Sequence, residues 1–296
     1  MRKWNYPDTF KRVSPFAAIA LLLSGCGQGV LDPQGPVGEA QKQLIITSTL
    51  LMLIVVIPVI VMTILFAWRY NYIRNRKYSP NWSHSNKIEA VVWGIPLVII
   101  LILAIITWRS THALNPKAAL ESDNPTMTVQ VMSMDWKWLF IYPEQGVASI
   151  NQLAIPVDTP IEFQVTSSSV MNSFFVPQLG SQIYAMAGMK NTVHLLANEP
   201  GDYYGTSANY SGEGFSHMQF RALAMTDEEF EQWVSSAEQS SRTLDPATLR
   251  ELIEPSEKDE VEYFSNVTPE LYNDVINSFA RPDISSQFNE LDGAEE

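Results

Sequence analysis

Cysteine is almost absent from this chain of 296 residues, which contains only Cys26. No disulfide can form within the chain, and no metal site that needs two thiolates can be built in it. Basic residues are scarce after Arg109, where 8 Lys and Arg stand against 28 Asp and Glu. So acidic a region offers no basic face to a nucleic acid, and we expect no nucleic-acid partner.

The first 110 residues have the opposite charge balance, with 11 basic and 4 acidic side chains. They also contain the long apolar runs of the chain. The whole chain has a net charge of −13, so its two parts are expected to meet different surroundings.

Residues 1–25 are predicted to be a lipoprotein signal peptide. Lys3, Lys11 and Arg12 precede the apolar run VSPFAAIALLL, which is too short to span a bilayer. The following LSGC resembles the bacterial lipobox, in which the chain is cut before the cysteine and acyl chains are added to it. This interpretation makes Cys26 a lipidation site in contact with membrane lipid. The alternative is a buried cysteine after an ordinary signal peptide.

Residues 43–110 are predicted to form a hairpin of two transmembrane helices. Twenty-six uncharged residues separate Lys42 from Arg69, and nineteen separate Glu89 from Arg109. Each run is long enough to cross about 30 Å of hydrocarbon, and Trp residues end both runs, as in aromatic belts. We place the spans at about 44–68 and 90–108.

The segment between the two spans is basic and predicts the topology of the chain. Its basic residues are Arg69, Arg74, Arg76, Lys77 and Lys87. The positive-inside rule places this segment in the cytoplasm of a bacterium. The N-terminal segment 26–42 and everything after residue 110 then lie in the periplasm, outside the inner membrane.

Beyond the hairpin, the apolar period changes to two and then returns to that of a helix. TMTVQVM, IEFQVT and MQFRALA alternate between turn-forming residues, which predicts a β-sandwich or barrel within residues 111–225. A capping box at Thr226 and two later proline-containing helix starts predict a helical region over 226–282. The acidic tail, 283–296, is predicted to be disordered.

Several long motifs allow a comparison with a known family. They are SMDWKWLFIYPE, VMNSFFVPQLGSQIYAMAGM, ANYSGEGFSHMQF and FEQWVSSAEQS. Together with the lipobox and the hairpin, they resemble subunit II of the haem–copper respiratory oxidases, in particular the cytochrome bo-type ubiquinol oxidases. The resemblance covers about residues 20 to 280 and implies a cupredoxin-like fold for the β-domain.

In the cytochrome c oxidases of this superfamily, a dinuclear copper centre is held by a His before an SF motif and by a CxExCxxxHxxM loop. The resemblance aligns these ligands with Asn172, Tyr210, Gly212, Gly214, Met218 and Arg221. All six are changed, and neither Tyr nor Gly replaces the soft bridging thiolates that copper needs. We therefore expect no metal and no cofactor in this chain. The alternative is a mononuclear copper site built from His194, His217 and methionines among Met186, Met189 and Met218. A Met in an apolar strand is more commonly a core side chain than a metal ligand.

Three other residues acquire expected roles from the resemblance. Trp136 and Trp138 alternate with Lys137 and are expected to anchor an interface with the catalytic subunit. Glu89 begins the second span on its cytoplasmic side, where the family places a carboxylate near a proton-uptake channel of subunit I. The alternative for Glu89 is an acid stabilised by the helix dipole, worth about 0.3–1 kcal/mol.

The resemblance implies a subunit without redox centres in a proton-pumping ubiquinol oxidase, which reduces oxygen to water. Haems, copper and the ubiquinol site would belong to subunit I, and subunits III and IV would be further partners. No cytochrome c is expected to dock. The alternatives are a copper-containing electron-transfer subunit of a cytochrome c oxidase and a free, membrane-tethered lipoprotein that binds a partner.

Overall fold

A computed structural model describes residues 29–70, 84–120, 122 and 124–280 of the chain. The predicted signal peptide with Cys26, the basic residues 74–77 and the tail 283–296 lie outside these residues. The predictions made for them are therefore not tested by the structure.

Two long apolar helices form the membrane part. Helix α1 spans Pro36–Arg69 and helix α2 spans Asn86–Ala113. Both are long and apolar enough to cross a membrane, and their large side chains are mostly exposed in the isolated chain. Proline at the first position of α1 explains its start, because its fixed φ suits a helix N-terminus. Both helices extend beyond the predicted spans at each end.

The periplasmic part is a sandwich of two sheets. Within the described residues, the first sheet has the strand order β11-β12-β3-β2-β1-β5-β8, and the second has the order β4-β10-β9-β6-β7. The strands are β1 Met127–Ser133, β2 Trp138–Tyr142, β3 Val147–Ile150, β4 Gln152–Pro156, β5 Ile161–Ser167, β6 Asn172–Phe175, β7 Ile183–Ala185, β8 Asn191–Leu195, β9 Gly201–Ser207, β10 Gln219–Met225, β11 Thr243–Leu244 and β12 Glu262–Val267.

The main core fills the space between the sheets, because alternate side chains of each strand point to the same face. Phe140 of β2, Phe163 of β5, Phe174 of β6 and Phe220 of β10 are all buried there. The rings of Phe174 and Phe220 stack with centroids 5.4 Å apart. This apolar layer supports the loops at one end of the sandwich, where the candidate site lies.

The C-terminal region contains more than the predicted helices. It has α3 Asp227–Glu238, α4 Pro246–Ile253 and α5 Leu271–Ala280, together with strands β11 and β12, which widen the first sheet. A second core forms between the outer face of that sheet and this region, with Phe264 fully buried at its centre. The strands were not predicted because β11 is two residues long and β12 pairs with distant β3.

Backbone hydrogen bonds attach both membrane helices to the periplasmic domain. The Gly38 amide in the first turn of α1 donates to the Leu179 carbonyl at 3.1 Å, and the Gln34 amide donates to Gln178 at 2.8 Å. After α2, the Pro116 carbonyl accepts from the His194 amide of β8 at 3.0 Å. Any side chain at Gly35 would clash with the Leu196 carbonyl, so the chain passes close to the domain here.

Candidate functional site

The loop between β9 and β10 carries most of the positions aligned with copper ligands. It turns at Gly212, whose φ of 115° is a conformation that side chains disfavour, and continues as a 3-10 helix over Glu213–His217. The short helix returns the chain to β10 in register with β9. The local fold therefore follows from glycine at the turn.

Trp136 occupies the space beside this loop. Its backbone has a φ of 71°, which turns the chain between β1 and β2, and its indole Nε1 donates to the Ser211 carbonyl at 3.2 Å. A Cβ at Gly212 would lie 3.3 Å from the ring, and one at Gly214 would lie 2.6 Å from Cγ. The indole thus packs where side chains of these two positions would project.

Asn172, aligned with the first histidine ligand, belongs to a buried polar network. Its Oδ1 accepts from Ser207 Oγ at 3.0 Å, and its Nδ2 donates to the Val170 carbonyl at 3.3 Å. Nδ2 also donates to Ser133 Oγ at 3.4 Å. These hydrogen bonds satisfy both ends of the amide, as burial requires, and they leave Asn172 a structural role.

Three other aligned positions, Met218, Tyr210 and Arg221, lie in different environments. Met218 is fully buried in the main core, which also contains Phe220, and its sulfur accepts from Ser211 Oγ at 3.9 Å. Tyr210 is 75% exposed. Arg221 points outward, and its Nε donates to Asp202 at 2.6 Å. This hydrogen bond raises the pKa of the Arg221 guanidinium.

These residues do not fit a copper centre. Gly212 and Gly214 carry no donor, the Asn172 amide is saturated by hydrogen bonds, and the cationic Arg221 faces away from the loop. A thioether alone is too weak a ligand set for copper, which prefers thiolate and imidazole. In the part of the chain that the structure describes, no group of three His, Cys, Asp or Glu side chains converges either.

The two histidines of the alternative copper site are engaged elsewhere. His194 is almost fully buried on β8, and its Nδ1 lies 3.2 Å from the Pro116 carbonyl. His217 is partly exposed, and its Nδ1 lies 3.1 Å from Glu257 Oε2 in the C-terminal region. The structure therefore gives each histidine a separate protein contact.

The position of Trp138 corrects one prediction. Trp138 begins β2 and has no exposed surface, because its ring packs edge-on to Phe174 and Phe220 in the main core. Trp136 lies in the preceding turn and is only partly buried. The two rings do not share one face of a strand, and a fully buried Trp138 cannot anchor an interface.

Lys137, between the two tryptophans, makes contacts that the sequence did not predict. Its side chain is 4% exposed, and Nζ donates to the Glu254 carbonyl at 3.2 Å and to Ser256 Oγ. Asp259 lies 3.6 Å from the same Nζ. The lysine thus fastens the segment before β12 to the turn that carries Trp136. This attachment is evident only from the burial of the Lys137 side chain in the structure. The sequence around Lys137 does not indicate it.

Glu89 lies in the first turn of α2, at the end of the hairpin opposite the periplasmic domain. Its Oε1 is 2.6 Å from Nδ1 of His84, and Nε2 of His84 contacts Asn86 Oδ1. Both side chains are more than half exposed in the isolated chain. The contact with His84 was not predicted, although His84, Ser85 and Asn86 give this membrane helix a polar start.

Two family models match this chain. Residues 144–224 match the periplasmic domain of cytochrome c oxidase subunit II, and residues 238–283 match the aromatic-rich motif of the same oxidases. With the observed architecture, the first match confirms the predicted fold class: two apolar helices, a cupredoxin-like β-sandwich and a short helical C-terminal region.

Relatives with assigned names extend the similarity to nearly the whole chain. Ubiquinol oxidase subunit 2 of Acetobacter aceti is 57% identical over 87% of this chain and 84% of its own length. Cytochrome bo(3) ubiquinol oxidase subunit 2 of Pseudomonas aeruginosa is 53% identical over 90% of this chain and 83% of its own length. A crystal structure of the periplasmic domain of cytochrome oxidase subunit II from Bradyrhizobium japonicum is 25% identical, with a TM-score of 0.37, over 40% of this chain and 96% of that domain.

Proposed function

Because the chain belongs to the subunit 2 family of ubiquinol oxidases, we propose that it serves its complex without a redox centre of its own. The complex oxidises ubiquinol and reduces oxygen to water, and haems, copper and the quinol site lie in subunit I. This chain braces subunit I with its hairpin and covers its periplasmic face with the β-sandwich. Subunits III and IV complete the complex.

The packing of Trp136 against Gly212 and Gly214 is the observation that carries this proposal. Tyr210 and Gly214 stand where a dinuclear copper centre would need its two thiolates, and the Trp136 indole packs against Gly212 and Gly214. An electron arriving at this loop would have no acceptor. We therefore expect the assembled complex to oxidise ubiquinol and to leave reduced cytochrome c unoxidised.

Copper analysis of the isolated full-length chain tests this proposal. The chain is purified in detergent after expression with copper supplied, and its copper content and near-infrared absorption are measured. We expect far less than one copper per chain and no near-infrared band. A stoichiometric copper that is lost in a His194→Ala, His217→Ala double variant would refute the proposal and favour an electron-transfer subunit.

The second role that we propose is proton uptake through Glu89. Glu89 lies in the first turn of α2, two residues after Lys87, and α1 ends at Arg69 before the connecting segment, so the positive-inside rule puts Glu89 at the cytoplasmic surface. A carboxylate at the edge of a membrane can accept and release protons, and such groups are commonly functional. It would supply protons to a channel in subunit I.

Lipidation of Cys26 is the third element of the proposal. Asp32 and Gln34, six and eight residues after Cys26, are hydrogen-bonded to Gln178 of the periplasmic domain. Acyl chains on Cys26 would enter the outer leaflet of the inner membrane and gain about 0.8 kcal/mol per buried CH₂. The chain would then be a multi-pass lipoprotein.

A further inference from the structure

We propose that His84 is a positioning residue for Glu89, and that the two side chains hold one shared proton at the cytoplasmic surface. The proposal deepens the proton-uptake role of Glu89 and rests on it. In this role His84 receives a proton from cytoplasmic water or buffer, and Glu89 releases one toward subunit I.

The contacts of His84 define the positions of its protons. Its Nε2 contacts Asn86 Oδ1, and a hydrogen on Nε2 makes this contact a hydrogen bond. Its Nδ1 lies 2.6 Å from Glu89 Oε1, a short hydrogen-bonding distance. Two acceptors cannot approach so closely without a hydrogen between them, so one proton must lie in this contact.

The shared proton can occupy two positions along this hydrogen bond. It is bound either to Nδ1, which gives an imidazolium and a carboxylate, or to Oε1, which gives a neutral imidazole and a carboxylic acid. Moving between them makes one N–H or O–H bond and breaks the other, without a change in the charge of the pair. When Oε1 gives its proton to a channel, the pair is left as a neutral imidazole and a carboxylate, and one proton from water restores the hydrogen bond between them.

The position of His84 on the chain suits this order of events. His84 precedes α2, whereas Glu89 is at the fourth position of that helix. Because the helix runs from the cytoplasmic surface into the membrane, the imidazole lies on the water side of the carboxylate. Ser85, the residue before α2, makes no side-chain cap hydrogen bond, whereas His84 contacts both Asn86 and Glu89 in the first turn of the helix.

The test uses the assembled oxidase with His84→Ala, His84→Gln and Glu89→Ala, each compared at equal haem content. His112→Ala is the matched control, since His112 is an exposed histidine at the other end of the same helix, with Nδ1 2.8 Å from the Trp108 carbonyl. The kcat and KM for ubiquinol are measured for each complex, with and without added imidazole, which can replace a missing histidine as proton donor.

We expect His84→Ala and His84→Gln to lower kcat about five- to tenfold at an unchanged KM, since a lost proton relay slows turnover without weakening quinol binding. Imidazole should restore His84→Ala and leave His112→Ala unaffected. A wild-type kcat in His84→Gln, or a slow His84→Ala that imidazole does not restore, would refute the role of His84. If Glu89→Ala is slow while His84→Ala is not, only this inference fails. If Glu89→Ala turns over normally, the proton-uptake proposal fails with it.

Discussion

The indole ring of Trp136 lies directly against the backbone of Gly214, where a Cβ would be 2.6 Å from the ring atom Cγ. Gly214→Ala is therefore expected to lower the free energy of unfolding of the isolated chain by about 1–3 kcal/mol, as overpacking does. Denaturant unfolding measures the loss. Ser216→Ala in the same loop is the control, because Ser216 is exposed. Equal free energies of unfolding in the two variants would show that the Trp136 ring moves aside without a loss of stability.

Glu89 provides a prediction on activity. Glu89→Ala is expected to slow ubiquinol oxidation by the assembled complex more than Glu89→Asp does, because Asp keeps a carboxylate that can bind protons. The rate per haem is measured in both variants. Equal turnover in the two would leave Glu89 with only its stabilising interaction at the helix N-terminus.

Cys26→Ala is expected to abolish acylation while leaving ubiquinol oxidation largely intact. Two membrane helices already anchor the chain, so the acyl chains add affinity that anchoring does not require. Mass spectrometry of the purified subunit detects the lipid, and oxidase activity in membranes measures function. Loss of assembled oxidase in this variant would contradict the prediction.

Lys137 is expected to hold the segment before β12 in place. Lys137→Met keeps the length of the side chain but removes the hydrogen bonds to Glu254 and Ser256, at a cost of about 1–3 kcal/mol. Limited proteolysis should cut this variant between residues 254 and 261 faster than the wild-type chain. Lys190→Met is the control, since Lys190 is exposed, and equal cleavage of both variants would exclude this role.

Two buried tyrosines predict how stability changes in alkali. Burial raises the pKa of Tyr142 and of Tyr272, whereas an unfolded tyrosine titrates near pH 10. The pKa is higher in the folded state, so this contribution to stability is complete below about pH 10 and is lost as the pH rises further. Tyr272→Phe should reduce the alkaline loss, and it should lower stability near neutrality because the hydrogen bond to Gln164 is gone.

The free energy of unfolding, measured from pH 7 to pH 11 on the isolated chain, checks this expectation. Tyr210→Phe is the control, because Tyr210 is exposed. This substitution should leave the loss of stability above pH 10 unchanged. An identical slope above pH 10 in the Tyr272→Phe variant and the wild-type chain would contradict the assignment.

Predictability from the sequence differed between elements for physical reasons. The membrane helices follow from uninterrupted apolar runs, and the capping box at Thr226 is formed as its residues predict. The environment of Trp138 was mispredicted because Trp136 adopts a positive φ that breaks the strand alternation. The burial of Lys137 depends on residues more than 115 positions away, and no local pattern encodes such a contact.

The candidate site was predictable in part. The absence of the copper-ligand set follows from residue chemistry at six positions, because Asn and Met replace the two His, Tyr and Gly replace the two Cys, Gly replaces Glu and Arg replaces Met. The packing of Trp136 into the same loop depends on the glycine turn and was not foreseen. The His84–Glu89 contact was missed because a histidine five residues before a carboxylate has no fixed geometry until a helix begins between them.

The hydrogen bonds of Gly38 and His194 join each membrane helix to the same β-sandwich. A domain on a loose tether would swivel above the bilayer and lose that freedom only on meeting its partner, with a corresponding loss of affinity. Here the orientation is set while the chain folds. We therefore expect substitutions at Gly35 or Gly38 to weaken assembly with the partner subunits, because they disturb this attachment.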